Sequence, residues 1–237
     1  MKQSYYLWLA AAVVLAGCRK DEERISYNLS GTYTAENTLR AANPIAMYTA
    51  AGQVTNTAVI TRFLARRQGL ASYFSATDVP VPSNTSLRLT FRANNRATLV
   101  STAPNYVDSI RTEVTDQQLA SLRLQNLDSI TTLSNASYSC KKVSELAGYI
   151  KEVYPGQRCQ AMPPVTGYSQ ICKQRPVRMV GAHGSQLYVP YFSWLVLADG
   201  CYIAYSGEWN LFNRAVLSHL AAGDTVVVQE REIALRK

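Results

Sequence analysis

The chain of 237 residues has only two histidines, His183 and His219, and this scarcity limits the chemistry that it can perform. Catalytic triads and zinc sites usually draw on histidine, and these two do not lie at helical metal spacing. We expect His183, between Gly181 and Gly184, to lie in a loop and His219 to lie on the last helix. The sequence also lacks a Gly-x-Ser-x-Gly elbow, a phosphate loop of the Gly-Lys-Ser/Thr type and a dinucleotide fingerprint. We therefore predict no metal site, no cofactor and no assigned catalytic residue.

Paired carboxylates are the remaining route to hydrolysis. Glu208, Glu230 and Glu232 could supply such a pair for glycoside chemistry, although carboxylates on strands usually belong to the solvent-facing side. An uncharacterised hydrolase is therefore kept as the second alternative function.

No apolar run is long enough to cross a membrane as a helix. The apolar stretch from Tyr5 to Ala16 has 12 residues, whereas a span needs about 20. It follows the positive Lys2 and ends in the small residues Ala16-Gly17, which is the pattern of an export signal. We therefore expect removal of residues 1–17.

Leu15-Ala16-Gly17-Cys18 resembles the lipobox of bacterial lipoproteins, in which the cysteine becomes the lipidated first residue. The resemblance implies lipidation of Cys18, and two or more acyl chains hold a protein stably at about 0.8 kcal/mol per buried methylene. Residues 18–27 would form a charged tether that is similar to the export tag of surface-displayed lipoproteins in some Gram-negative bacteria. This implies a lipid anchor in the outer membrane with the protein at the cell surface, and a periplasm-facing orientation is the alternative.

The other four cysteines lie in the second half of the chain and agree with export. An even number of cysteines in an oxidising compartment predicts two disulfides. The spacing leaves all three pairings open. The candidates are Cys140, Cys159, Cys172 and Cys201.

The net charge of +8 is explained most simply by solubility. Arg62, Arg66 and Arg67 form the densest basic cluster. No aromatic residues are interleaved with this cluster as in a stacking platform for nucleic acid, so we predict no nucleic-acid partner. A basic protein at a bacterial surface would nevertheless meet lipopolysaccharide phosphates and acidic polysaccharides.

Recurrent turn residues and short apolar segments predict a mainly β protein with a few short helices, of the α+β class. Leu87, Leu89 and Phe91 alternate with polar residues, which indicates a strand with one buried face. Asn94-Asn95 and Asp199-Gly200 predict tight turns. We expect an antiparallel meander or barrel-like module over residues 28–134, and an α+β module cross-linked by disulfides over residues 138–237.

Three helices are predicted within these modules. The first follows a cap at Thr55 or Asn56 and ends before Gly69. The second places apolar residues from Val143 to Tyr154 on one face and ends at Pro155-Gly156. The third is short and follows a cap at Asn213. We expect a loop over residues 78–84 and a closing strand from residue 225 to 235.

The order of tether, Gly31-Thr32-Tyr33, short helix and meander is similar to that of lipocalin-like domains. This resemblance implies a barrel that holds a small apolar ligand. A filled β structure without a cavity is the other interpretation of the same pattern.

Aromatic residues are concentrated around the Asp199-Gly200 turn and suggest a platform for sugar rings or for a partner strand. The alternative explanation is core packing. The candidate contact residues are Tyr188, Trp194, Tyr205 and Trp209. The sequence thus favours a non-enzymatic, lipid-anchored envelope protein that binds a partner protein or a glycan, with a lipocalin-like carrier as the first alternative.

Overall fold

The structure is a computed structural model, and it describes residues 29–67, 69, 71–81, 86–103, 106–118, 121–134, 140–150, 158–161 and 170–237. Strands dominate it, which confirms the predicted mainly β class. The strands are β1 (Gly31–Arg40), β2 (Ala46–Thr49), β3 (Gly52–Val54), β4 (Val79–Pro80), β5 (Ser86–Phe91), β6 (Arg96–Ala103), β7 (Tyr106–Gln118), β8 (Ser121–Asn126), β9 (Ile130–Ser134), β10 (Arg158–Ala161), β11 (Gln170–Gln174), β12 (Val177–His183), β13 (Gln186–Ala198), β14 (Cys201–Glu208) and β15 (Thr225–Arg236). The helices are α1 (Thr57–Ala65), α2 (Lys141–Tyr149) and two 3₁₀ helices, Ala71–Tyr73 and Arg214–His219.

Eight antiparallel strands close into a barrel. The ring runs in the order β1, β5, β6, β7, β8, β12, β13 and β15, and β15 pairs back with β1. Strands β5 to β8 form a simple meander of neighbours. The predicted division near residues 134–138 is not shown, because the ring takes strands from both sides of it and residues 135–139 lie outside the described part.

The barrel interior is filled by apolar side chains from every strand of the ring. The alternation predicted for β5 is confirmed, since Leu87, Leu89 and Phe91 are buried while Ser86 and Arg88 are exposed. Burying each large apolar side chain contributes about 1.5–3 kcal/mol, so this cluster is the main stabilising element of the barrel. Its fully buried members include Leu39, Leu122, Leu124, Val180 and Val189.

Strands β13 and β15 extend beyond the ring, where β14, β2 and β3 continue the same sheet. One face of this extended sheet packs against α2 and the 3₁₀ helix Arg214–His219. The other face packs against α1, whose Ile60 and Leu64 contact Leu195 and Val227. Because helices cover both faces, β13 is apolar on both sides.

The seam between β1 and β15 contains an irregularity and an ion cluster around the partly buried Glu36. The register shifts between Ala35 and Leu39, and Glu36 lies within this segment. Its carboxylate accepts hydrogen bonds from Arg236 and from Arg40, the latter at 2.8 Å. Burial raises the pKa of Glu36, but the hydrogen bonds from Arg236 and Arg40 outweigh it and leave the pKa below its usual value.

Two predicted tight turns are confirmed by their backbone conformation. Asn94 and Asn95 have φ angles of 59° and 56°, and Asp199 and Gly200 have 50° and 74°. Two successive residues with positive φ characterise the turn that joins twisted antiparallel strands without splaying them. The first turn joins β5 to β6, and the second joins β13 to β14.

Helices occur at the three predicted places, but not all of their boundaries are as predicted. Asn56 caps α1 by accepting hydrogen bonds from the backbone N–H groups of Ala58 and Val59, at 3.0 and 3.3 Å. Helix α2 ends at Tyr149, earlier than expected, where the carbonyl of Ile150 accepts a hydrogen bond from Asn213. The capped segment after Asn213 is a 3₁₀ helix, not an α-helix.

Two loop predictions need correction. Val79–Pro80, expected within a loop, forms the short strand β4 beside β1, where a proline is tolerated at an edge. His183, also expected in a loop, is the last residue of β12. Gly69 has the expected positive φ of 83°, but the helix is capped earlier, at Arg66.

A disulfide joins Cys140, at the start of α2, to Cys201, at the start of β14. Cys172 is also disulfide-bonded and lies directly opposite Cys159 in the β10–β11 pair. Strands β10, β11 and β9 form a separate three-stranded sheet. Among the described residues, no helix has the length and apolar character needed to cross a membrane.

Candidate functional site

Strand β14 carries the groups that could contact a ligand. Within the described part of the chain it pairs with β13 alone, so it is an edge of the extended sheet. Its register with β13 places Tyr202, Ala204, Ser206 and Glu208 on one face, because they lie opposite alternate residues of β13. Two surface grooves lie along this face.

The first groove, which we name the tyrosine groove, has a volume of about 450 Å³. The rings of Tyr73 and Tyr191, a hydroxyl and a carboxylate are combined in its walls. Tyr205 borders the groove, but its register opposite Trp194 places its ring on the other face of β14. The lining residues are Tyr73, Tyr191, Ala204, Tyr205, Ser206, Gly207 and Glu208.

A hydrogen bond orients the hydroxyl groups of Tyr191 and Ser206. The Tyr191 hydroxyl donates to Ser206 Oγ at 3.1 Å, across the β13–β14 pair. Burial raises the pKa of Tyr191, and the nearby negative charge of Glu208 raises it further. The phenol therefore stays protonated and acts as a hydrogen-bond donor at neutral pH.

Because Gly207 has no side chain, the Tyr205 ring can lie against it. A Cβ atom at position 207 would lie 2.6 Å from the Tyr205 hydroxyl oxygen, which is too close for any real contact. The absence of a side chain at Gly207 thus sets the position of the exposed tyrosine ring.

A buried arginine lies behind the tyrosine groove. Arg231 is only 3% exposed, and its guanidinium lies 5.4 Å from the Tyr191 ring centre. It donates to the Tyr73 carbonyl at 2.8 Å and to Ser193 Oγ at 3.0 Å. Its Nε has no hydrogen-bond partner, and it forms no ion pair with a carboxylate of the described residues. Burial lowers the pKa of Arg231.

The second groove, which we name the arginine groove, has a volume of about 620 Å³ and lies between α1 and the β13–β14 turn. The arginine cluster predicted from the sequence forms one wall. Arg67 is fixed in place, because its guanidinium stacks 3.8 Å from the Phe63 ring centre and donates to the Phe63 carbonyl at 2.9 Å. The lining residues are Val59, Arg62, Phe63, Arg66, Arg67, Leu197, Gly200 and Tyr202.

The four aromatic contact residues predicted from the sequence do not lie together. Of these four, Tyr205 alone lines the tyrosine groove. Trp194 is 3% exposed and packs beneath Tyr205, with 6.1 Å between ring centres. Trp209 is half-buried against the barrel core, and Tyr188 stacks on His183 at 4.6 Å.

Neither histidine has the surroundings of a catalytic base. His183 Nε2 lies 2.8 Å from Glu232 Oε1 on the exposed barrel surface, and no serine or cysteine of the described residues bonds to it. His219 stacks on Tyr149 with 4.0 Å between ring centres. No group of three or more potential metal ligands occurs in the parts of the chain that the structure describes.

Several groove residues were not anticipated from the sequence. Tyr73 lies on a three-residue 3₁₀ helix that no periodicity indicates, and Ser206 and Arg231 are polar residues within strands. The predicted signal segment 1–17, Cys18 and the tether 18–27 lie outside the described residues. No protein-family model, no curated protein and no solved structure matches the chain.

Proposed function

We propose that the chain is a lipid-anchored protein of the bacterial envelope that binds a glycan in the tyrosine groove without transforming it. The lipid on Cys18 would hold it in the outer membrane, at the cell surface, with the periplasm-facing orientation as the alternative. The support for the anchor is the resemblance of Leu15-Ala16-Gly17-Cys18 to a lipobox.

The observation that carries the binding proposal is the composition of the tyrosine groove. Sugars present apolar C–H faces and a rim of hydroxyl groups, so they are recognised by aromatic rings beside fixed polar groups. Tyr73 and Tyr191 supply the rings, while Glu208 can accept hydrogen bonds from sugar hydroxyls. Ser206 and Tyr191 supply hydroxyls that the bond between them already orients.

The test is binding of the full chain, purified in detergent, to an array of glycans. We expect Tyr73→Ala to weaken the bound glycans about five- to ten-fold, which corresponds to the loss of one ring contact. Glu208→Gln should weaken them by about ten-fold or more, because a charged acceptor is lost.

Tyr149→Ala is the matched control, because it removes a tyrosine ring that lies on α2 and does not line the groove. It should leave binding unchanged. An array without any specific signal, or an equal loss in the control, would contradict the proposal.

A carrier of small apolar ligands, of the lipocalin-like kind, is the second candidate function. The observation that favours it is the closed ring of eight strands, the number at which a barrel can hold one small ligand. The apolar side chains packed inside the described ring act against it, since they occupy the space that a ligand would need. Titration with a fluorescent fatty acid tests this candidate, and Leu122→Ala should strengthen binding only if the ligand enters the barrel.

A further inference from the structure

The arginine groove carries three positive charges that no carboxylate of the described residues pairs with. Arg62 and Arg66 are exposed, and neither forms an ion pair or a side-chain hydrogen bond with another described residue. Arg67 is held by its contacts with Phe63 and still contributes its charge. Guanidinium groups pair with carboxylate and phosphate through parallel hydrogen bonds, so the groove is complementary to oxyanions.

The groove also offers apolar and aromatic contact. Tyr202 is 53% exposed and Val59 is 44% exposed, and both line it. A free inorganic anion would gain nothing from contact with these apolar and aromatic side chains. A ligand that carries its oxyanion on a larger, ring-containing body would contact both kinds of wall.

The two grooves follow one another along the same face of β14. Tyr202 lines the arginine groove, and Ala204, Ser206 and Glu208 line the tyrosine groove. Six residues of strand separate Tyr202 from Glu208, which is a distance of about 20 Å. An extended chain molecule lying along β14 would therefore reach both grooves.

From these observations we propose that the two grooves together bind an acidic polysaccharide, whose sugar rings contact the tyrosine groove and whose carboxylate or phosphate groups pair with Arg62 and Arg66. This proposal rests on the proposed glycan-binding function and specifies the class of glycan.

The arginine groove lies at the opposite end of β15 from the segment that follows Leu29. The groove adjoins Leu197, which lies opposite Thr225 at the start of β15. Leu29, the first described residue, precedes the segment that pairs with the other end of β15, where Thr34 lies opposite Arg236. Eleven residues of strand, or about 36 Å, separate these two ends. The groove thus lies far from the point where the chain arrives from Cys18.

The experiment compares a hexamer of galacturonic acid with its carboxyl-reduced counterpart, by calorimetry on the full chain in detergent. We expect the acidic hexamer to bind at least ten-fold more tightly than the neutral one. The variant Arg62→Ala/Arg66→Ala should remove this difference and leave the affinity for the neutral hexamer unchanged. Higher salt should weaken the acidic hexamer alone, because exposed charges are screened.

The matched control is Arg88→Ala/Arg92→Ala, which removes the same charge from exposed positions in and after β5. Equal affinities for the two hexamers, or an equal loss in both double variants, would overturn the inference. Tight binding of inorganic phosphate alone, or of phosphatidylglycerol vesicles without the acidic hexamer, would overturn it as well.

The outcomes separate the two proposals. If both hexamers bind equally and Tyr73→Ala weakens both, the glycan-binding function holds and only the acidic preference fails. If neither hexamer binds and the array is also without signal, both proposals fail. Thermal unfolding of each variant verifies that it is folded before its binding is measured.

Discussion

Removal of the Cys140–Cys201 disulfide should cost the protein about 4 kcal/mol of unfolding free energy. The bond joins residues 61 positions apart, and it ties α2 to the strand that carries both grooves. In the chain-entropy description, cross-linking a loop of that length removes about 14 cal/mol/K from the unfolded chain, or about 4 kcal/mol at 25 °C. For a chain of this size, such a loss corresponds to a fall in Tm of roughly 10 °C.

The assay is urea unfolding of Cys140→Ala/Cys201→Ala beside the wild type, without reductant so that the disulfide at Cys172 stays intact. The transition midpoint should fall, and the slope should rise because the unfolded chain becomes more expanded. Either single substitution breaks the same link and should cost nearly as much as the double. A loss below about 1 kcal/mol would refute the chain-entropy reasoning.

Three further predictions concern the first helix, the barrel seam and the tyrosine groove. Asn56→Ala should lower the unfolding free energy by about 1 kcal/mol, measured by urea unfolding, because two backbone N–H groups of α1 lose their acceptor. Glu36→Gln should destabilise the protein at pH 7, since the pKa of Glu36 is lowered in the folded state. The difference from wild type, followed by thermal unfolding against pH, should shrink as the pH falls below the usual value of 4.5. Ser206→Ala should release the Tyr191 hydroxyl and weaken glycan binding about five-fold, roughly the contribution of one hydrogen bond, as measured on the same array.

Much of the local structure could be predicted because local chemistry determines it. The turn at Asp199-Gly200 follows from two residues that tolerate positive φ, and the cap at Asn56 follows from a side chain that accepts the first free N–H groups. The alternation of Leu87, Leu89 and Phe91 predicts their burial because side chains of a strand alternate between its faces.

Barrel closure could not be predicted in the same way, because it depends on pairing between β1 and β15, which are far apart in the sequence. Thr34 pairs with Arg236, and no periodicity within either strand specifies that partner. The sequence gives a clearer indication of the extended sheet. The run from Leu187 to Leu197 is apolar almost throughout, which is typical of a strand covered on both faces.

The candidate site was harder to predict for a physical reason that lies in β15. Gln229, Glu230, Arg231 and Glu232 are four consecutive polar residues, so hydrophobic alternation cannot tell which of them point inward. The structure buries Gln229 and Arg231 and leaves the two glutamates half-buried. An arginine buried without a carboxylate costs several kcal/mol in lost hydration, and its two hydrogen bonds offset only part of that. Hydrophobic alternation gives no reason to bury such a group, so the place of Arg231 behind the tyrosine groove could not be predicted from the sequence.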